Sequence, residues 1–521
     1  MLKFRVVQST TEIEEEGIYL IPDNWDDWFE YEISYGLWLY KDRPKFIERV
    51  KIAEINQKTR KTNLESEFTK LKDNYVSIGF NDNYYEQLNR TKYRKEILTA
   101  LNDIAYDLNR YEQIKMHNVT MTALMREYSA IKLKGQVNRM AHGGSRLTDY
   151  NFEYILPSID PNTGENARMS FDVKKEKKPF SNIHVMIGKN GVGKTTVIKN
   201  IIYALEKAKP AEKVGEVEKS WGENFSNIVF VSFSAFDNPI FEEEIQEEGS
   251  IKYKFVGLVK KGSIKKISSL ADEFIDCSFN FYKNSSKMRL WKETIRILES
   301  DNTFTDQEIG EWIDDSVKNK WILETKEIVS DYKSLDVREK QNLLKEKHKE
   351  RLLEKFQRLS SGHKVILLTI ANLIDLVEEK TIVLMDEPEE HLHPPLVAAF
   401  MRALSNLLIY RNGVGIIATH SPVIVQEVPK KCVWILRRHG KYLIPMRPEI
   451  ETYGENLGEL TTEIFGYEVT NSGFHKELRE AVEKSDSFDE AKTIFYDQLG
   501  KEAKSILRAY MYDKEENQEA E

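Results

Sequence analysis

Residues 188–195 read Gly-Lys-Asn-Gly-Val-Gly-Lys-Thr and directly follow the apolar run Ile183-His-Val-Met-Ile187. A strand that delivers such a loop, with Val197–Leu205 continuing as a helix, commits the chain to a phosphate-binding α/β fold. The glycines let successive backbone N–H groups close around a phosphate. Gly188, Lys189, Asn190, Gly191, Val192, Gly193, Lys194, Thr195 and Thr196 are therefore the candidate nucleotide-binding residues. Lys194 brings mobile positive charge to the β- and γ-phosphates, and the Thr195 hydroxyl is a Mg²⁺ ligand. The helix that follows turns the positive end of its dipole toward the same anion.

Two further segments add chemistry. Thr381-Ile-Val-Leu-Met-Asp386-Glu387-Pro388 is a buried β-run ending in paired carboxylates. A parallel strand presents its last residues at the carboxyl edge of the sheet, beside the phosphate loop. There Asp386 can hold Mg²⁺ through water, and Glu387 can polarise the water that attacks the γ-phosphate. Upstream, Leu359-Ser360-Ser361-Gly362-His363-Lys364 opens the helical run Val365–Ile374. Ser360, Ser361 and Gly362 thus form a second anion-binding helix end, useful if both ends meet across one nucleotide. Gly413–Thr419 is another buried strand and carries His420-Ser421-Pro422 to the same edge.

This ordered set resembles the ATP-binding-cassette ATPases, in the soluble branch shared with SMC, RecF and OLD-type proteins. Residues 188–195 match the Walker A motif of that branch. Leu359–Lys364 resembles its signature loop, with Ser361 in place of a glycine and His363 in place of the usual glutamine. Asp386 and Glu387 match Walker B and the catalytic glutamate, Glu389–Pro394 the D-loop, and His420 the switch histidine. The likeness spans about residues 150–467, and no clear Q-loop glutamine is found; Ser234 or Asp237 stands where it belongs. The resemblance implies ATP and Mg²⁺ as cofactors. It also implies ATP-sandwich homodimers, in which the Walker motifs of one chain face Ser360 and Gly362 of another. His391 and His393 form an H-x-H pair, but no Cys or third His stands at ligand spacing, and the D-loop match accounts for them.

Length suggests roughly two to four domains. Hydrophobic residues make up 40% and charged residues 31%, an ordinary globular balance. There is no apolar run of membrane-spanning length, and the start lacks the apolar core of a signal peptide. Two cysteines, Cys277 and Cys432, suit buried thiols in a reducing, cytoplasmic setting. The net charge of −9 opposes a uniformly DNA-coating surface while leaving room for a local basic groove.

Five segments are expected. Residues 1–150 read as an α+β module: strands at 18–21, 29–39 and 46–52, a turn at Pro22-Asp23-Asn24, then helices over 84–113 and 120–140. The aromatic group Trp25, Trp28, Tyr31, Tyr35 and Trp38 is expected in its core. Residues 151–239 hold the P-loop half of the ATPase core. Residues 240–355 form an insertion, opened by a strand over 251–258 and helical afterwards, too short for the long coiled coil of SMC proteins. Its basic run Lys260–Lys266 is the better DNA candidate, because Lys345–Arg358 is interleaved with Glu346, Glu350 and Glu354. Residues 356–467 complete the core, with a helix over 451–466. Residues 468–521 are helical to about Tyr512 and then an acidic, disordered tail.

Neither a TOPRIM-type Asp-x-Asp pair nor HNH-type histidines are found, so an ATPase without its own nuclease is expected. The run from 355 to 475 resembles the ATPase subunit of Septu-type antiphage defence systems. That resemblance implies a separately encoded, HNH-type nuclease partner. A RecF-like DNA-repair clamp is the alternative, and a transporter subunit fits poorly with so large an N-terminal module.

Overall fold

The computed structural model describes residues 2–23, 30–159, 164–174, 178–219, 225–235, 237–241, 251–260, 262–328, 335–440, 442–466, 473–496 and 498–520. Asn24, Trp25, Trp28 and Phe29 of the expected turn, strand and aromatic group lie outside the described residues.

A seven-stranded sheet forms the centre, in the order Lys252–Gly257, Asn227–Ser232, Ile382–Asp386, Val414–Thr419, Ile183–Ile187, Val433–His439, Tyr442–Met446. All neighbours pair in parallel except the last two strands, which pair antiparallel. Four inner strands are buried along their whole length, which explains their unbroken Ile/Val character: both faces are covered. One face packs on the helix Lys194–Leu205, whose Val197, Ile198, Ile201 and Ile202 make a helical stripe. An antiparallel sheet of Glu216–Lys219, Tyr150–Ile159 and Asn166–Val173 shares that core. The other face packs on the helices Ser361–Leu376 and Pro394–Arg411. Each fully buried Leu or Ile there contributes roughly 1.5–3 kcal/mol.

The segment 240–355 differs from expectation at its start. Its strand Lys252–Gly257 is not part of a separate insertion but the edge of the central sheet, paired in parallel with Asn227–Ser232. The helices Ile267–Phe281, Ser285–Leu298 and Val337–Arg358 follow, and they bury Phe274, Trp291 and Phe356 in the same core as Ser361–Leu376. This is a helical lobe fused to the sheet. The charges of Val337–Arg358 are largely spent on ion pairs, Lys345 with Asp276 at 2.8 Å, Lys349 with Asp272 at 2.9 Å and Arg351 with Glu324 at 3.3 Å. Of the expected basic run, Lys260 lies on a hairpin of Val259–Lys260 and Ser263–Ile264, Lys261 lies outside the described residues, and Lys265 pairs with Glu273 at 2.8 Å.

The N-terminal module has its own six-stranded sheet and its own core. Pro22 is the last residue of a strand there. Its two expected long helices are broken, into Asp82–Asn89, Arg94–Ala100 and Leu108–Ile114, and then into turns and short helices from Asn118 to Ala141. Asn102 explains the break after Arg94–Ala100: it sits at φ +52°, and its amide donates to the carbonyls of Leu71, Lys72 and Tyr75. The module docks on the amino edge of the central sheet, where Arg139 Nη2 meets Glu379 Oε1 at 2.5 Å and Ser129 donates to Glu378 at 2.7 Å. It also reaches the helical lobe: Glu127 accepts from the N–H groups of Ser285 and Ser286 and so caps the helix Ser285–Leu298.

Two C-terminal expectations change. Residues 451–456 are not helical; the helix is Leu457–Phe465, capped by Asn456. The acidic tail, expected to leave the helical part after about Tyr512, continues the last helix, which runs from Lys501 to Ala520. With Gly473–Glu483 it closes a small core of Leu478, Val482, Ala491, Leu507 and Met511.

Candidate nucleotide site

The P-loop bridges the strand Ile183–Ile187 and the helix Lys194–Leu205. Gly193, the residue before the helix, has φ +112°, a conformation that a side chain at this position would strain. Lys194 is 5% exposed, and its Nζ donates to the carbonyls of Gly188 at 3.0 Å and Lys189 at 3.4 Å. Those loop carbonyls hold the ammonium where a phosphate can take it over. Nζ also lies 3.7 Å from Glu387 Oε1, so the Walker A lysine and the candidate catalytic carboxylate already meet.

Thr195 Oγ1 donates to Asp386 Oδ2 at 2.6 Å, although Asp386 lies two strands from the P-loop strand. The other carboxylate oxygen, Asp386 Oδ1, is buried with no protein hydrogen bond. Burial pushes the Asp386 carboxyl up to about 6, with the nearby carboxylates of Asp237 and Glu387 adding to the rise. An oxygen pair with one buried, unmatched acceptor fits a hard cation, so Thr195 and Asp386 suit Mg²⁺. Among the described residues no group of three or more His, Cys, Asp or Glu gathers to hold a metal. His393 instead meets Asp301 at 2.9 Å.

Glu387 has φ +46°, and its N–H donates to Ala418 O at 2.9 Å. The left-handed turn that begins here aims the Glu387 side chain back over the P-loop. His420, at the end of the next strand, places Nδ1 3.3 Å from Glu387 Oε1 and 3.4 Å from Glu389 Oε1. Glu389 carries no role in the sequence reading beyond belonging to the D-loop. In the structure its Oε1 also accepts from the Thr419 hydroxyl and from the His420 N–H, the latter at 3.2 Å. Burial raises its carboxyl above the usual range.

Of the two Q-loop candidates, Asp237 faces the site most directly. It accepts from Ser232 Oγ at 2.7 Å and from Lys199 Nζ at 2.9 Å, and it acts electrostatically on Asp386. Arg438 was missed by the sequence reading because it stands far along the chain with no motif around it. Its Nε donates to Val192 O at 3.0 Å, bracing the P-loop from the strand Val433–His439. A cleft of 660 Å³ opens there beside Lys189, Val192, Arg438, His439 and Phe465, and it can accept a base and ribose next to the phosphate site.

Ser360 caps the helix Ser361–Leu376, with its hydroxyl 2.7 Å from His363 Nδ1. Ser360 and Ser361 are exposed, whereas Gly362 is buried where a Cβ would stand 2.6 Å from His391 O. Gly362 is thus a glycine because the D-loop backbone lies against it. His363 packs against Phe304 with the rings tilted by 56° and reaches Thr303 Oγ1 at 3.4 Å, so the turn after Asp301 touches both signature loop and D-loop.

A parallel sheet with a P-loop, a carboxylate pair and a histidine at one edge, plus a second helix N-terminus at that edge, is the arrangement of an ABC-type P-loop ATPase. Residues 183–426 match the family described as "AAA domain, putative AbiEii toxin, Type IV TA system". Protein ea59 of Escherichia phage lambda is 33% identical over 541 residues, covering 99% of this chain and 99% of that protein. The chain belongs to the ea59 family of AAA-type ATPases. Among solved structures, a nucleotide-free ATP-binding cassette from an ABC transporter is 15% identical, over 53% of this chain and 83% of that chain, with a TM-score of 0.23. A metal-chelate-type ABC transporter in an inward-facing conformation is 13% identical, over 60% and 88%, with a TM-score of 0.29. Likenesses at that level add nothing to the assignment. Among the described residues no helix is long and apolar enough to cross a membrane.

Proposed function

We propose that the protein is an ATP-operated switch that closes as a pair of chains. ATP binds Gly188–Thr196 of one chain and Ser360–Gly362 of the other. One observation carries this reading. The P-loop helix and the signature helix lie on opposite faces of the same sheet, yet both present their N-termini at its carboxyl edge. Within one chain the sheet separates the two anion-binding ends, so one nucleotide fills both only when a second chain supplies the other. Lys194 and the loop N–H groups hold the phosphates, and Thr195 and Asp386 hold Mg²⁺, which supplies charge neutralisation. Glu387 accepts the proton of the attacking water, and His420 steadies the γ-phosphate.

The test is complementation. Ser360→Arg and Lys194→Ala proteins, each inactive alone, regain part of the hydrolysis rate when mixed, because one of the two hybrid sites keeps both intact halves. Proven subunit exchange without recovered activity overturns the shared site.

The switch controls a separately encoded nuclease, HNH-type, within a bacterial antiviral defence system. The N-terminal module and the C-terminal bundle support this reading: they are folded mass added to an ATPase core, and such mass commonly serves to bind a partner. Co-expression with the neighbouring gene product, co-purification, and DNA cleavage measured across an ATP titration test it. Metal-dependent cleavage by the ATPase alone counts against it, and an ATPase that binds DNA with no nuclease partner favours the RecF-like clamp.

A further inference from the structure

Glu389 joins three parts of the switch strand's end. Its Oε1 accepts from the side chain of Thr419, from the backbone N–H of His420, and lies 3.4 Å from the His420 ring nitrogen Nδ1. The side chain is 9% exposed, and its Oε2 is buried without a protein hydrogen bond. Thr419 in turn accepts from the Ser421 N–H at 2.8 Å, which fixes the backbone on the far side of His420. An exposed histidine at a strand end has a wide choice of ring orientations; here it is 47% exposed and still has Nδ1 directed at two carboxylates.

We propose that Glu389 is the positioning residue of the switch histidine: its carboxylate fixes the backbone and ring of His420 against Glu387 so that Nε2 is presented to the γ-phosphate. The chemistry follows from donor and acceptor roles. A carboxylate oxygen accepts hydrogen bonds, so an Nδ1 that faces Glu387 and Glu389 is placed to donate, and the other ring nitrogen is left for the γ-phosphate, to which it bonds when it too carries a proton. Burying a carboxylate costs free energy unless it is matched. A carboxylate buried at the nucleotide edge, with one oxygen given to the histidine and its neighbour, is spent on holding that residue in place. The inference rests on the hydrolysis assigned above to Glu387 and His420.

Hydrolysis kinetics of the full chain, with ATP affinity measured separately, test it. Glu389→Ala lowers kcat by roughly 100-fold, as expected for a misplaced catalytic group, while the Kd for ATP stays within about 2-fold. Glu389→Gln, whose amide oxygen still accepts from Thr419 and the His420 N–H, loses only about 10-fold. In a His420→Ala background, Glu389→Ala costs less than about 2-fold more, since the two act as one unit. Thr419→Val lowers kcat in the same direction and stands in if the Glu389 variants fail to fold. Two results overturn the proposal: an undiminished kcat in Glu389→Ala or Thr419→Val, or an equal loss from Glu389→Ala with and without His420. An unaltered protein that binds ATP and never hydrolyses it overturns the catalytic reading as well. An unaltered protein that hydrolyses ATP normally beside a fully active Glu389→Ala overturns this proposal alone.

Discussion

At the carboxyl edge of the central sheet, Asp386 and Glu389 each keep a buried carboxylate oxygen with no protein partner, and Glu387 and His391 hold positive φ angles. At the amino edge, Glu379 meets Arg139 and Asn412, while Glu378 meets Ser129. Both edges bring carboxylates to a sheet terminus. Only one leaves them unfinished. Positive φ occurs at the amino edge too, at Lys380 and Asn412, so the open oxygens and not the backbone mark the difference: a buried open oxygen is tolerated where a ligand completes it, whereas a docking face completes itself. The comparison therefore separates function from assembly without any bound molecule.

The largest effect that sharpens this contrast is at the nucleotide edge. Lys194→Ala is expected to abolish hydrolysis by weakening ATP binding. Glu387→Gln should still bind ATP but turn it over roughly 10²–10⁴-fold more slowly, because an amide does not accept the water's proton. Neither variant should lower the unfolding midpoint. Steady-state turnover paired with a nucleotide-binding titration checks both. Unchanged turnover in Glu387→Gln sinks the catalytic assignment.

The opposite edge should respond the opposite way. Arg139→Ala leaves Glu379, 5% exposed, without its guanidinium, and the expected cost is about 3 kcal/mol of stability. Turnover per folded molecule should remain within about 2-fold, because Arg139 bonds at the amino edge of the sheet, the end opposite the nucleotide site. Chemical denaturation followed by an ATPase assay on the folded fraction measures both. A turnover loss matching that of Glu387→Gln breaks the division between the edges and makes the docking face part of the switch.

The contrast also explains what was legible in the sequence. The nucleotide edge was readable because its residues are fixed by local chemistry: Gly193 by its φ, Lys194 and Thr195 by the helix start, Asp386 and Glu387 by the end of an apolar strand. The fold class was readable for the same reason. What depends on distant partners was not. The strand Lys252–Gly257 has the alternation of any strand, and nothing in it names Asn227–Ser232 as its neighbour. The helical spacing over 84–113 is real, but Asn102 breaks it by bonding carbonyls about 30 residues upstream. Arg438 reaches the P-loop across 246 residues, and Glu389 gains its role only when the strand Val414–Thr419 lies beside it.

The smallest effect sets the N-terminal module against the ATPase core through pH. In the core, His348 is fully buried with Nε2 2.8 Å from Ser278 Oγ, and burial holds it down at about 3. The unfolded chain takes a proton near 6.5 and the folded chain does not, so stability present above 6.5 is lost as pH falls toward 3. In the module, Asp103 is buried, and burial raises its carboxyl to about 7 although it accepts from the N–H groups of Ala105 and Tyr106. The sign is reversed: its stabilising neutral form is present below the unfolded value near 3.8 and is lost as pH rises through 7. Asp103→Asn keeps an oxygen for both N–H groups and removes the charge. It should therefore stabilise the protein by about 2 kcal/mol at pH 8, with the gain fading toward pH 4. His348→Gln should instead flatten the loss of stability between pH 6 and pH 5 by about 1 kcal/mol. Denaturation curves at these pH values decide it. If the Asp103→Asn gain is the same at pH 4 as at pH 8, the buried carboxylate is not the cause, and the contrast in pH response between module and core fails.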